Sequence, residues 1–229
     1  MNKESELKLI KQVKADPFSL KYIKNQTETI CLEAVKKEWL ALRHVKDQTE
    51  QICLAAVKKN GGILDEVKNQ TEAICLAAVK DYGLSLLYVK NQTEAICLAA
   101  VKQDAGALDY VKNQTEAICL EAIRQDPLSI KLVKHQTDKI CLEALKCNNK
   151  TYILKDIIPS LNINIKSIAL ITLNVLSKHN DKDKIILNKI INKFKEDKEI
   201  LDFYTKHKLW KYVDFNKLNN ELTHYAMIL

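Results

Sequence analysis

Glycine is almost missing from this chain, with four residues in 229, and no Gly-rich stretch of the kind that cradles a phosphate is present. Aromatic residues make up only 6% of the chain, few for the stacking platforms that hold single-stranded nucleic acid. No apolar run approaches the ~20 residues of a membrane span. The nearest, IALITLNVL at Ile168–Leu176, reads as a core helix. The opening MNKESELK is charged and lacks an apolar region, so no secretory leader is expected. There is no CxxC and no Cys/His spacing suited to zinc. The five histidines (His44, His135, His179, His207, His224) stand in unrelated contexts, none beside a candidate nucleophile. Catalytic, cofactor and metal residues are accordingly none, and the chain is not expected to be an enzyme. An apolar content of 47% with 28% charged residues describes a soluble folded chain.

What is present is a repeat. The stretch NQTEAICLAAVK, Asn91 to Lys102, recurs every 22 residues. Thr71, Thr93 and Thr115 set a phase that also catches Ser5, Thr27, Thr49 and Thr137, which makes seven copies without an insertion. A strict period of this length marks a stacked array. The first half of each copy, T-E-x-I-C-L-x-A-V-K, predicts an amphipathic helix of about ten residues. Thr is a good N-cap. Glu suits the positive end of the helix dipole, and the closing Lys or Arg suits the other. The second half predicts a shorter helix. Its start is signalled twice by Asp-Pro, at Asp16-Pro17 and Asp126-Pro127. Gly61, Gly62, Gly83 and Gly106 fall at the junction of the halves, where a turn is needed.

Counting from Thr, the apolar positions are three (Ile), four (Cys), five (Leu), seven (Ala) and eight (Val). On a helical wheel they span about 200°, as expected of an inner helix that meets neighbours on several sides. Position seven is Ala in six copies, small enough for close helix approach. The first copy departs from this, with Lys8 at position three and Gln12 at position seven. Those positions share one side of the wheel. That side should therefore face the preceding repeat, and residues 5–24 form a polar-faced N-terminal cap.

Six of the seven cysteines occupy one repeat position: Cys31, Cys53, Cys75, Cys97, Cys119 and Cys141. Stacked helices lie about 8–10 Å apart, whereas a disulfide wants Cα atoms within about 7 Å. The row reads as buried small apolar residues in a reducing compartment, the cytoplasm. The N-Q-T triplets at Asn25, Asn69, Asn91 and Asn113 match a glycosylation acceptor but read as inter-helix turns. Gln recurs there in six copies (Gln26, Gln48, Gln70, Gln92, Gln114, Gln136). It suggests a ladder that satisfies backbone groups of the adjacent repeat.

After Lys146 the period fails. The predicted organisation is an α-helical repeat array over 1–146 and a non-repeat helical module over 147–229. In the latter, CNNKTYILKDII reads as a decayed second helix stopped by Pro159. Further helices are expected at about 164–178, 182–204 and 214–226. Residues 147–229 hold 14 Lys against 9 acids, a net of +5 out of +7 for the whole chain. The module is expected to cap the stack. The fold class is thus all-α: an α-solenoid of about seven 22-residue helix-turn-helix repeats with a helical C-terminal capping module.

Three functions compete. The sequence pI is about 8.9 and Lys recurs twice per repeat, which keeps RNA binding through the basic C-terminal module as the alternative. Within the array, however, each Lys row has acids beside it, so the rows screen one another. An eleven-residue period along one lipid-bound helix conflicts with Asp-Pro, Gly61-Gly62 and a turn triplet in every copy, and no membrane association is expected. Protein recognition is favoured, because a constant frame with variable surface positions is how such arrays choose partners. Trp39 stands where other copies have Pro, Gly or Ala. His44 shares a position with Tyr22, Tyr88 and Tyr110. Trp and Tyr are common interface anchors, so the candidate partner-binding residues are Trp39, His44, Tyr88 and Tyr110, with Trp39 expected to be the more exposed. The partner is a protein of unknown identity and the chain itself is expected to be a monomer.

The NQTEAICLAAVK…LDYVK unit resembles a short α-helical repeat, classed as a domain of unknown function, that abounds in proteins of mimivirus-like giant viruses. The resemblance covers residues 5–146. It implies a helical array with a viral or host-facing interaction role, hence a host cytoplasm, and it supplies no catalytic residues.

Overall fold

The computed structural model describes residues 2–147, 166–177, 184–194 and 196–212. Among them every regular element is helical. Seven α-helices come first: α1 (Lys3–Ala15), α2 (Glu28–Lys37), α3 (Glu50–Val57), α4 (Glu72–Asp81), α5 (Glu94–Gln103), α6 (Glu116–Gln125) and α7 (Asp138–Cys147). From α2 onward they start 22 residues apart. Between them lie six short 3-10 helices: η1 (Pro17–Tyr22), η2 (Trp39–His44), η3 (Gly61–Glu66), η4 (Gly83–Tyr88), η5 (Ala105–Tyr110) and η6 (Pro127–Leu132). The chain is an α-solenoid.

Each α-helix starts as its sequence dictates. The Thr71 and Thr93 hydroxyls accept from the N–H groups of Ile74 and Ile96 at 3.3 Å, which satisfies one of the orphan donors of the first turn. The end of one helix is also the start of the next. Asp104 has extended backbone (φ −148°) and its N–H closes α5 on the Ala100 carbonyl. Its side chain then accepts from Gly106 N–H at 2.8 Å and opens η5. The side chains of Asp16, Glu38, Asn60 and Asp126 open η1, η2, η3 and η6 in the same way. Except after α3, where Lys58, Lys59 and Asn60 intervene, a single residue stands between the two helices and leaves no room for a longer turn. The second half holds only six residues, and its bonds run i→i+3, as when the N–H of Val111 meets the Leu108 carbonyl at 3.2 Å. The expected second helix is therefore present but is a 3-10 helix, the form used for short runs.

By its contacts the chain falls into two units, Met1–Gln125 and Asp126–Leu229. In the first, successive α-helices pack on one another in a row, and successive η-helices form a second row. The core is the line between them. Ile30, Ile52, Ile74, Ile96 and Ile118 are buried, with Ala34, Ala56, Ala78, Ala100 and Ala122 at 0% exposure and the Val or Ile of position eight beside them. Each fully buried Ile, Val or Leu contributes about 1.5–3 kcal/mol, so the stack is stabilised copy by copy. In α1, Lys8 and Gln12 are exposed while Val13 is buried, as a polar-faced first copy requires.

Gly61 and Gly83 serve close approach rather than chain reversal, since no glycine has positive φ. A Cβ on Gly83 would lie 2.6 Å from the Ala100 carbonyl oxygen, and one on Gly61 would fall on the Ala78 carbonyl oxygen. The short helix of one copy thus touches the backbone of the next copy's α-helix.

In the second unit α7 packs against α8 (Lys166–Ser177), and α8 against α10 (Lys198–Lys206). A last 3-10 turn, Leu209–Tyr212, lies against α10 and α9 (Lys184–Lys193). The helix expected at 164–178 is α8. The one expected at 182–204 is broken in two. Asp197 caps a new helix by accepting from Glu199 and Ile200 N–H at 3.1 and 3.2 Å, and a cap of that kind ends any continuous reading. The Tyr204 hydroxyl, buried, donates to the Leu187 carbonyl and ties α10 to α9. The decayed helix read in CNNKTYILKDII and the helix expected at 214–226 lie outside the described residues.

Candidate interaction surface

Most of what repeats is used up inside the array. In the first unit the glutamine row forms the ladder its recurrence suggested. Gln92 Nε2 donates to the Leu86 carbonyl at 3.3 Å within its own copy and to the Tyr110 carbonyl at 2.9 Å in the next. Its Oε1 accepts from Lys112 N–H at 2.9 Å. Gln26, Gln48 and Gln70 repeat all three bonds.

Two further ladders escaped the sequence reading. Lys68 Nζ donates to the Lys46 carbonyl at 2.9 Å, Lys90 to Lys68 at 3.0 Å and Lys112 to Lys90 at 3.0 Å. These lysines tie each short helix to the copy before it. The capping threonines also donate backward: Thr93 to Glu72 at 3.0 Å and Thr115 to Glu94 at 2.8 Å. One hydroxyl therefore caps its own helix and holds the previous copy's acidic first turn. Such hydrogen bonds are each worth about 1 kcal/mol net, and their geometry fixes the register between copies.

The cysteines belong to the same frame. All six of the row are buried and free. Cys97 Sγ lies 3.7 Å from Gln92 Oε1. Burial, followed by the Asp47 and Glu28 carboxylates, pushes the Cys31 thiol up to about 11, and burial and Asp138 do the same for Cys141. Thiols held protonated at neutral pH are poor nucleophiles and poor metal ligands. Among the described residues no three His, Cys, Asp or Glu side chains gather as a metal site would need, and no helix is long and apolar enough to cross a membrane.

The named candidates lie on or beside η2, η4 and η5. Trp39 is half-buried rather than the most open of them. Its position opens the short helix, and the equivalent Gly61 and Gly83 sit against the following α-helix, so a residue there is partly covered by its neighbour. His44 is half-buried, with Phe18 edge-on at 6.1 Å. Tyr110 is half-buried and Tyr88 is exposed at 41%. The carbonyls of His44, Tyr88 and Tyr110 each receive a ladder glutamine, so the backbone at this position is fixed while the side chain is free to differ. The structure thus sets His44, Tyr88 and Tyr110 on one row, which Glu66 interrupts and ties to Arg43 at 2.9 Å.

The most open member of the row is Tyr22, at 74%, with Lys21 Nζ 4.7 Å above its ring. Leu87 is exposed at 54%. Its position is Lys21, Arg43, Asp65, Asp109 or Lys131 in the other copies. An apolar residue where every other copy is charged is a signal the sequence carries. Comparison with family models finds no match, and comparison with curated proteins and with solved structures finds none either.

Proposed function

We propose that the chain is a non-enzymatic recognition scaffold that binds a protein partner along its η row. One observation carries this reading. The residues that repeat are consumed by internal ladders, and the side chains left to solvent on the short helices are the ones that differ between copies: Tyr22, Leu87 and Tyr88. Large, stiff amphipathic rings bury much area at small entropic cost, which suits an anchor. The buried free thiols fit a reducing cytoplasm, and the resemblance to giant-virus repeats makes viral or host proteins the partners to look for. The protein acts as a monomer.

The test is affinity capture from host and from infected cells, followed by mass spectrometry, with wild type beside a Leu87→Asp/Tyr88→Ala variant. Asp already stands at the equivalent Asp65 and Asp109, so the variant keeps the fold. A partner held by wild type and lost by the variant supports the reading. Equal recovery of every partner ends it for this face.

A second reading, RNA binding through the C-terminal module, rests on its net +5 and on exposed Lys189, Lys193, Lys206 and Lys208. RNA bound at low salt and released steeply as salt rises would favour it, since lysine–phosphate contacts weaken with salt.

A further inference from the structure

The face of the α-helices turned away from the η row is not uniform. At position five, Leu32, Leu54, Leu76 and Leu98 are only half-buried, whereas Leu120 is 7% exposed. Between α4 and α5 runs an open groove of about 570 Å³, walled by Leu76, Ala95, Leu98 and Ala99 and rimmed by Lys80 and Lys102. Between α3 and α4 runs a second of about 540 Å³, walled by Leu54, Ala73, Leu76 and Ala77 and rimmed by Lys58 and Lys80. Both owe their openness to alanine at positions two and six.

The copies on either side carry a carboxylate where these have alanine at position six. Copy two has Glu33 at position six. Its carboxylate sits between Lys14 at 2.8 Å and Lys36 at 3.5 Å, and the Lys14 hydrogen bond holds Glu33 below the usual carboxylate range. Copy six has Glu121, which accepts from Gln125. Lys14 and Lys36 are the counterparts of Lys58, Lys80 and Lys102. In the middle copies the intervening carboxylate is absent, and no carboxylate of the described residues pairs with these three lysines. Asp81 borders the α3–α4 groove, but its carboxylate accepts from Gly61 N–H at 2.7 Å.

Three unpaired lysines beside two apolar grooves describe what fits them. We infer that α3–α5 bind an acidic amphipathic helix of a protein partner, laid across the stack, with apolar side chains in the two grooves and carboxylates on Lys58, Lys80 and Lys102. The chain displays this chemistry itself, where Glu33 bridges Lys14 and Lys36. Spacing selects a helix. Neighbouring stacked helices are about 8–10 Å apart. A helical partner returns a side chain to the same face every seven residues, or about 10.5 Å. An extended strand does so every two, about 6.6 Å, out of step with the grooves. The inference rests on the recognition-scaffold reading but uses another face, so changes at Leu87 and Tyr88 leave it intact.

The probe is a fluorescein-labelled synthetic peptide three heptads long, with one Leu per heptad, Glu on both flanks and Ala elsewhere. Fluorescence anisotropy reads its binding to the full chain at low salt. Wild type is expected to bind saturably. Ala77→Glu/Ala99→Glu, which copies the natural Glu33 and Glu121 and so preserves folding, is expected to weaken binding at least tenfold. Lys80→Glu/Lys102→Glu should weaken it similarly and should in turn bind a peptide with Lys in place of Glu. That exchange of preference is beyond a purely structural role for the lysines. Equal binding by wild type and the alanine variant, or equal binding of both peptides to wild type, would overturn the inference. So would sedimentation showing a dimer of the chain that the Ala77→Glu/Ala99→Glu variant dissolves, since the occupant would then be a second copy.

Discussion

The array over the first unit and the module over the second are held together by different means. In Met1–Gln125 each copy is tied to the next by three polar ladders acting on backbone and first-turn groups, over a line of Ile, Ala and Val. In the described part of Asp126–Leu229 past α7, the helices meet through scattered apolar residues such as Ala169, Leu173, Leu176, Ile190 and Ile200. One side chain–backbone bond between its helices is that of Tyr204. Apolar packing alone tolerates sliding, because it is non-directional. A bond from Gln92 to two carbonyls in successive copies does not. The comparison teaches that periodicity in this chain is carried as much by directional polar groups as by the core, and that one period of substitutions is felt twice.

The largest expected effect follows from that. Gln92→Ala strips a partner from the Leu86 and Tyr110 carbonyls and from Lys112 N–H, and it should cost about 2–4 kcal/mol. Urea unfolding followed by circular dichroism would read this as a lower midpoint for the array. A loss below about 0.5 kcal/mol would show that solvent replaces the ladder freely. Gly83→Ala comes next, at about 1–3 kcal/mol of overpacking, since its Cβ meets backbone 2.6 Å away in the following copy. Tyr204→Phe tests the other unit. It should cost about 1–2 kcal/mol by removing the buried bond to the Leu187 carbonyl, while hydrogen exchange in α2–α5 stays unchanged. The smallest effect is a gain. The Ser85 hydroxyl is buried without a partner, and the same position is Ala41 or Ala107 in other copies. Ser85→Ala should therefore raise stability by about 0.5–1 kcal/mol, measured in the same urea titration. A loss of that size would point to a bound water in the wild type.

Much of the fold was legible because each copy restates the same cues: Thr at the N-cap, Glu after it, a wide apolar arc and a basic end. The polar first copy was legible for the same reason, as a departure from a rule stated six times. The glutamine ladder was legible since Gln recurs at a turn, where backbone groups need partners. The lysine ladder was not. Lys at a helix end has a sufficient local reason to be there, and nothing in sequence says its ammonium reaches the Lys46 or Lys68 carbonyl one copy back. The 3-10 form of the second half was hidden because six residues fit either helix. Gly61 and Gly83 were read correctly as special and for the wrong cause, since turn and close approach leave the same residue. The break before α10 was hidden by KEDKEI, which favours helix locally while Asp197 caps instead. For the surface, the varying row was visible, but Trp39 was judged by size, and at the equivalent Gly61 and Gly83 the covering backbone is that of Ala78 and Ala100 in the next copy.

The buried cysteines turn the array into its own strain gauge. One thiol per copy, each inert to alkylation while its helix is packed, is unmasked only when that copy opens. Pulsed labelling followed by peptide mapping would assign a separate opening rate to Cys31, Cys53, Cys75, Cys97 and Cys119 with no engineered probe. The resulting profile along the sequence would reveal whether the stack frays from its ends or yields in the middle.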